Sequence, residues 1–364
     1  MNIMHFADYS APYEGNFISA LKALEAKLKY KDIHMIYVFT KTAKGRNWAK
    51  ELLNQKTTVY FLEDGFVNNI ILFAKIIRKH HIQLIHTHFS LFKFDLMLRI
   101  ARLLSKKTVY VRHMHMFYKN KANPVLERIK RFVSNADVEI TCSEAVYRAM
   151  QYAGFQIDNM INVTNAVDFS RLDHYEKMDK QAFGIPNHSK TVLMFGYDYF
   201  VKGVDLAVKA VKYLNDKGQS IVLLIVAAHN MDYIRGKIMK DFGDVSEFVK
   251  FLPPRNDIAS YYKLADIFLS ASRSEGFSYA LVEAKYCGVL TVTSNIPGPV
   301  MTDSEFIFES ENYLDLAEKL ECALHISEDE RNNIIRRQQK FVVEEFNIDR
   351  WSDEIIKIYL EVLK

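Results

Sequence analysis

The sequence predicts an α/β chain made of two doubly wound, parallel-sheet domains. Three observations carry that prediction. Short apolar runs alternate with amphipathic helical stretches over most of the 364 residues. The alternation stops once, in a polar segment, and then restarts. The length exceeds what one ordinary core needs and suits two, since domains usually run to ~100–200 residues.

In the first half, the stretches 3–7, 33–40, 57–62, 83–87, 108–113 and 137–142 read as strands. Helical stripes such as 17–28, 67–80 and 94–104 lie between most of them. Strand–helix alternation of this kind implies βαβ units and a sheet covered on both faces. Periodicity weakens after Phe169, and residues 170–190 are polar, ending in Gly184-Ile185-Pro186, so the boundary is placed there. Strands then recur at 191–195, 221–228, 248–252, 267–270 and 290–293. A last helical stretch, 348–363, carries Ile355, Ile356, Tyr359 and Leu360 on one stripe. The expected units are residues 1–170, residues 190–345 and a terminal helix over 346–364. Doubly wound domains bind ligands at the carboxyl ends of their strands.

Composition narrows the class. The chain is 49% hydrophobic and 25% charged, with three cysteines, Cys142, Cys287 and Cys322, at no metal-ligand spacing. That pattern excludes a disulfide scaffold and fits a reducing compartment. No secretory signal is visible, and the longest apolar run, 221–228, is far short of the ~20 residues a membrane span needs. A soluble, cytoplasmic protein is expected. The net charge of +4 conceals an asymmetry: residues 1–170 hold 24 Lys/Arg against 14 Asp/Glu (+10), and the remainder 24 against 30 (−6). A basic first half suggests an anionic partner.

Two stretches concentrate chemistry. In residues 270–288 a strand ends near Ser270, a loop carries Glu275-Gly276-Phe277, and a helix begins near Ser278 and stops at Gly288. Ser278 suits an N-cap, and Gly276 admits close backbone approach by a ligand. The helix start suits an anion. Glu283 lies about one turn into that helix, so both carboxylates can face one pocket, where charge-assisted bonds to sugar hydroxyls are worth ~1.5–3 kcal/mol each. In residues 192–210 a strand runs into Gly196, and Lys202-Gly203 opens a helix, a natural phosphate clamp. There is no Walker loop and no G-x-G-x-x-G, which argues against nucleotide hydrolases and dehydrogenases.

Gly196…Lys202-Gly203 and Glu275-Gly276-Phe277…Glu283 resemble the donor-site motifs of glycosyltransferase family 4. Asn165-Ala166-Val167-Asp168 is similar to that family's Asn-Gly-Val-Asp segment, and His113 matches its cleft-facing histidine. The resemblance implies the GT-B architecture: two Rossmann-like domains facing a central cleft, with a closing helix returning to the N-terminal domain. It further implies a retaining transfer of a hexose or N-acetylhexosamine from a uridine-diphosphate sugar, with no cofactor and no metal. Lys202 would neutralise the donor diphosphate and Glu283 would bind the ribose. Glu275 with Gly276 and Phe277 would hold the sugar, Gly15 would approach the phosphates, and His113 would bond the sugar near the reacting carbon. Gly196 and Ser278 complete the donor set; Asn16, His86 and His88 are acceptor-side candidates. The departures are Tyr197 in place of Arg, Ala227-Ala228-His229-Asn230 in place of a Gly-x-Gly-Pro turn, and Pro253-Pro254. A nucleotide-sugar 2-epimerase of the same architecture, or a silent binding subunit of a transferase complex, are the alternatives.

His86-Thr87-His88 and His113-Met114-His115 each end a strand, but no cysteine or carboxylate stands beside them at ligand spacing, so no metal site is expected. The basic residues of 119–131 interleave with Phe117, Tyr118, Val125, Leu126, Ile129 and Phe132, predicting a basic amphipathic helix after Pro124. Such a helix suits the anionic inner face of a membrane, and the resemblance implies a lipid-linked saccharide acceptor. No nucleic-acid-binding motif accompanies the charge.

Overall fold

The computed structural model describes residues 1–55, 57–104, 108–117, 129, 132–155, 157–227 and 230–364. The chain divides into two compact units: Met1–Ala166 with Ile348–Lys364, and Val167–Asn347. Each unit is a single all-parallel sheet. The boundary sits a few residues earlier than the sequence suggested, because the polar stretch after Phe169 is anchored to the second unit. Lys180 bonds Asp266 at 3.0 Å, and Tyr286 bonds Asp173 at 2.7 Å. Polarity there reflects side chains paired on a surface, rather than a free linker.

Among the described residues the first unit has seven strands: β1 (Asn2–Ala7), β2 (His34–Phe39), β3 (Thr58–Phe61), β4 (Leu84–His88), β5 (Val109–Met114), β6 (Val138–Thr141) and β7 (Met160–Asn162). Their order in the sheet is β3-β2-β1-β4-β5-β6-β7, so the winding reverses between β1 and β4. Strand interiors such as Ile3, Met4, Phe6, Val38, Leu84 and Ile85 are buried on both faces, as central parallel strands require. The terminal helix Ile348–Val362 belongs to this unit: Trp351, Ile355, Ile356, Ile358 and Tyr359 join its core, and Lys27 ties it down through Asp353 at 2.9 Å. The expected return of the last helix is therefore observed.

The described residues of the second unit form six strands: β8 (Lys190–Phe195), β9 (Ile221–Val226), β10 (Val249–Leu252), β11 (Ile267–Ser270), β12 (Leu290–Ser294) and β13 (Phe306–Phe308). The order is β10-β9-β8-β11-β12-β13, with the reversal between β8 and β11. Its core is aliphatic, built on Val192, Leu223, Ile225, Leu269, Val292 and the helix Val204–Asp216. The expected basic helix after Pro124 lies mostly outside the described residues, as do Ala228 and His229. Among the described residues, no helix is long and apolar enough to cross a membrane.

Candidate functional site

At a reversal of strand order, the loops after two adjacent strands turn away from each other and leave a crevice. In the second unit those loops follow β8 and β11, and they carry the two motifs singled out from sequence. Gly203 adopts φ +64°, and a Cβ there would collide with the carbonyl oxygen of Ala271, so only glycine lets the first loop lie against the second. At Gly196 a Cβ would come within 2.6 Å of Ile225. Arg273 staples the loops together. It bonds both carboxylate oxygens of Asp205 at 2.8 Å, both of Glu311 at 2.6 and 2.8 Å, and the carbonyl of Phe200 at 2.6 Å.

This frame fixes Lys202 against Glu275. Their ion pair measures 3.0 Å, and Ser272 donates to the other Glu275 oxygen at 2.9 Å. The Lys202 ammonium also lies 4.7 Å from the centre of the Tyr197 ring. Burial pulls this ammonium down, but Glu275 and then Tyr197 outweigh it, so the group sits above its ordinary value and is cationic at neutral pH. Lys202 is only 8% exposed. A cation held this way is a fixed point charge with little reorganisation left to do.

Glu283 lies in the helix Tyr279–Tyr286, buried, and accepts from the Tyr262 hydroxyl at 2.8 Å. Arg171 stands 3.5 Å from its other oxygen. Burial, and then the Glu283 charge, hold the Tyr262 hydroxyl well above its ordinary value, so it remains a donor. Phe277 packs its ring against Tyr279 and Phe346. Behind the Glu275 loop runs the turn at Gly298, where a Cβ would collide with the Glu275 carbonyl oxygen. Gly288, at φ +75°, ends the helix as expected. Ser278 occupies the N-cap position, but its hydroxyl makes no capping bond and has no partner among the described residues.

The structure thus brings Gly196, Lys202, Glu275, Gly276, Phe277, Ser278 and Glu283 to one end of one sheet. Sequence reading missed Ser272, which bonds Glu275 three residues on, and Arg273, Tyr262, Arg171 and Gly298, whose roles depend on partners far along the chain. Gly298 alone left a trace, in the Pro297-Gly298-Pro299 turn.

The remaining candidates lie in the first unit. Gly15, at φ +61°, starts the helix Gly15–Lys29 directly after the β1 loop, with Asn16 in its first turn. His113 is the last but one residue of β5, which runs one residue past the end expected from sequence, and its ring is buried among other imidazoles. His86 and His88 are fully buried, and three of their four nitrogens pair with Tyr359, His5 and His115 rather than with backbone groups.

A buried cation, a carboxylate on a glycine-shaped loop and a second on the helix after it, at the switch point of a second doubly wound domain, fit the GT-B class of glycosyltransferase. Two family models match between them most of the chain: Glycosyltransferase Family 4 over residues 24–171, and Glycosyl transferases group 1 over residues 176–341. The chain belongs to the family 4 glycosyltransferases. Among its relatives, the UDP-Gal:alpha-D-GlcNAc-diphosphoundecaprenol alpha-1,3-galactosyltransferase of Escherichia coli is 22% identical, covering 82% of this chain and 80% of that one. The capsular polysaccharide biosynthesis glycosyltransferase CapM of Staphylococcus aureus is 22% identical over 66% of this chain and 65% of its own. A glycosyltransferase from Rickettsia africae superposes with a TM-score of 0.84 at 18% identity, over 100% of this chain and 98% of that one. Anabaena HepE in complex with UDP gives 0.80 at 19%, over 99% and 100%.

Proposed function

We propose that this glycosyltransferase is a retaining enzyme that moves a hexose or N-acetylhexosamine from a UDP-sugar to a saccharide acceptor. The acceptor we propose is lipid-linked, in surface polysaccharide assembly on the inner face of a membrane. The observation that carries the reading is the buried Lys202–Glu275 pair at 3.0 Å, one loop away from Glu283. Lys202 supplies positive charge to the leaving diphosphate. Glu283, held by Tyr262, accepts from the ribose hydroxyls. Glu275 and the backbone of Gly276 and Phe277 hold the transferred sugar while it gains oxocarbenium character. The work is electrostatic: stabilising charge on the departing phosphate, which itself takes the acceptor's proton.

The names of two relatives support the donor and acceptor classes: one uses UDP-Gal and a diphosphoundecaprenol-linked sugar, the other serves capsule synthesis. Solved complexes of Anabaena HepE with UDP and UDP-glucose support the base.

A panel of nucleotide sugars, assayed for hydrolysis and for transfer to lipid-linked saccharides, tests the reading. UDP-sugars should be consumed, and the product anomer, read by NMR, should keep the donor's configuration. Lys202→Ala and Glu275→Ala should each lose roughly 10²–10³ in kcat, whereas Glu283→Gln should chiefly raise the donor KM. Lys202→Ala working at the wild-type rate would overturn the assignment. Epimerised donor without transfer would replace it with the epimerase reading.

A further inference from the structure

Five histidines of the first unit meet at its own strand-order reversal. His5 lies on β1, His86 and His88 on β4, His113 on β5, and His115 one residue beyond β5. Register pairs His5 with His86 and His88 with His113. Alternation along each strand then points all five rings to one face of the sheet. The ring centroids of His86 and His88 are 4.1 Å apart, those of His113 and His115 4.2 Å, and those of His88 and His113 5.4 Å. His5, His86, His88 and His113 are each at most 1% exposed.

Their hydrogen bonding is incomplete in an informative way. A single file runs from His115 Nε2 to His88 Nδ1 (3.1 Å) and from His88 Nε2 to His5 Nδ1 (3.1 Å). It continues from His5 Nε2 to the Tyr359 hydroxyl (3.2 Å) and from there to His86 Nδ1 (2.5 Å). A neutral imidazole has one N–H and one bare nitrogen, so all protons in the file must point the same way. His115 Nδ1 and His86 Nε2 are left open at its two ends, and His113 has neither nitrogen bonded, among the described residues. A buried polar group without a partner is unfavourable, because its lost hydration is not replaced.

We propose that His88, His113 and His115 bind one divalent transition-metal cation of the zinc class. One nitrogen from each of the three lies within 4.8 Å of the others. Imidazoles sharing a tetrahedral zinc at ~2.0–2.1 Å place their nitrogens about 3.3 Å apart, near the 3.1 Å between His88 and His115. An all-imidazole donor set suits zinc, cobalt, nickel or copper, and does not suit magnesium or calcium, which require oxygen. With the cation on His88 Nδ1, the file acquires a direction. His88 Nε2–H donates to His5, His5 Nε2–H to Tyr359, and Tyr359 O–H to His86. A ligating histidine ordinarily has such a partner behind it. The cation would thereby lock the carboxyl ends of β1, β4 and β5 to the terminal helix. Sequence reading placed His86, His88, His113 and His115 at strand ends but expected no metal, because no cysteine or carboxylate stood beside them; an all-imidazole set needs neither.

The full chain, purified without affinity-tag histidines and stripped by chelator, should bind one equivalent of Zn²⁺ or Co²⁺. Co²⁺ should give a visible d–d spectrum, and Zn²⁺ should raise Tm. His113→Gln and His115→Gln should each weaken Zn²⁺ binding at least tenfold with far-UV circular dichroism unchanged. His34→Gln, on an exposed ring, should leave binding intact. Should His113→Gln fail to fold, the less buried His115→Gln decides alone. No stoichiometric Zn²⁺ or Co²⁺ binding would overturn the proposal and leave a bare imidazole file. Equal binding by wild type and the folded variants would overturn it equally, as adventitious capture by surface histidines.

Discussion

Lys202 and Lys285 show how differently one unit treats two buried ammonium groups. Lys202 faces a carboxylate and stays charged. Lys285 faces oxygens without a full charge, donating to the carbonyls of Thr302 and Asp303 and to Ser304 Oγ at 3.1 Å. Burial, the larger influence, pushes it down to about 7 against the pull of the Asp303 charge. An unfolded lysine titrates at ~10.4. Between about pH 7 and 10 the unfolded chain therefore binds a proton that the folded chain lacks, and stability rises with pH across that window. Urea unfolding of wild type and Lys285→Met at several pH values checks this. Wild type should gain stability relative to the variant from about pH 7 to 9.5, and a flat difference would mean that the three acceptors keep the amine charged. At neutral pH the variant should lose about 1–3 kcal/mol, since the buried Thr302 carbonyl loses its lysine donor.

At the scale of elements, the loops after β8 and β11 act as one device, and Gly298 is its unseen backing. Gly298→Ala should push the Glu275 loop out of place while the hydrophobic core stays intact. We expect roughly a 10²-fold loss of transfer, the scale of a 1 Å misplacement, with little change in Tm; full activity would remove the turn from the site's support. Gly203→Ala should fare worse, because strain from φ +64° adds to the clash with Ala271, and loss of folded protein on expression is expected.

The same scale shows what a reader of the sequence could see. β8, β9 and β11 announced themselves as apolar runs bounded by turns, and Gly196, Lys202, Glu275 and Glu283 came with them. β7 and β13, three residues each, are too short to leave a periodic signal. His5 escaped notice because one polar residue inside Ile3–Ala7 breaks no pattern. Tyr359 read as one more apolar position on a helical stripe, although its hydroxyl joins β1 to β4. These roles are set by register between distant strands, which no local window contains.

For the molecule as a whole, charge is divided along the chain, +10 over residues 1–170 and −6 over the rest. If the acceptor is carried by a membrane, the full chain should float with anionic vesicles in low salt, release as salt rises, and ignore neutral vesicles, each basic group near the surface contributing ~1 kcal/mol at best. Equal failure to bind both kinds of vesicle would point to an acceptor in solution.

The return of Ile348–Val362 also sets an order of assembly during synthesis. Domains usually fold as they emerge, the N-terminal one first. Here the first unit lacks Trp351, Ile355 and Tyr359 until the whole of the second has been made. The second runs from Val167 to Asn347, and at ~5–20 residues per second its translation takes roughly 9–36 s. For that interval β1 and β4 stand without the helix that covers His5 and His86, while the second unit, continuous in sequence, is free to close first. Protease pulses on ribosome-bound chains should find the later-born unit protected before the earlier one, which makes residues 1–166 the ones most in need of a chaperone.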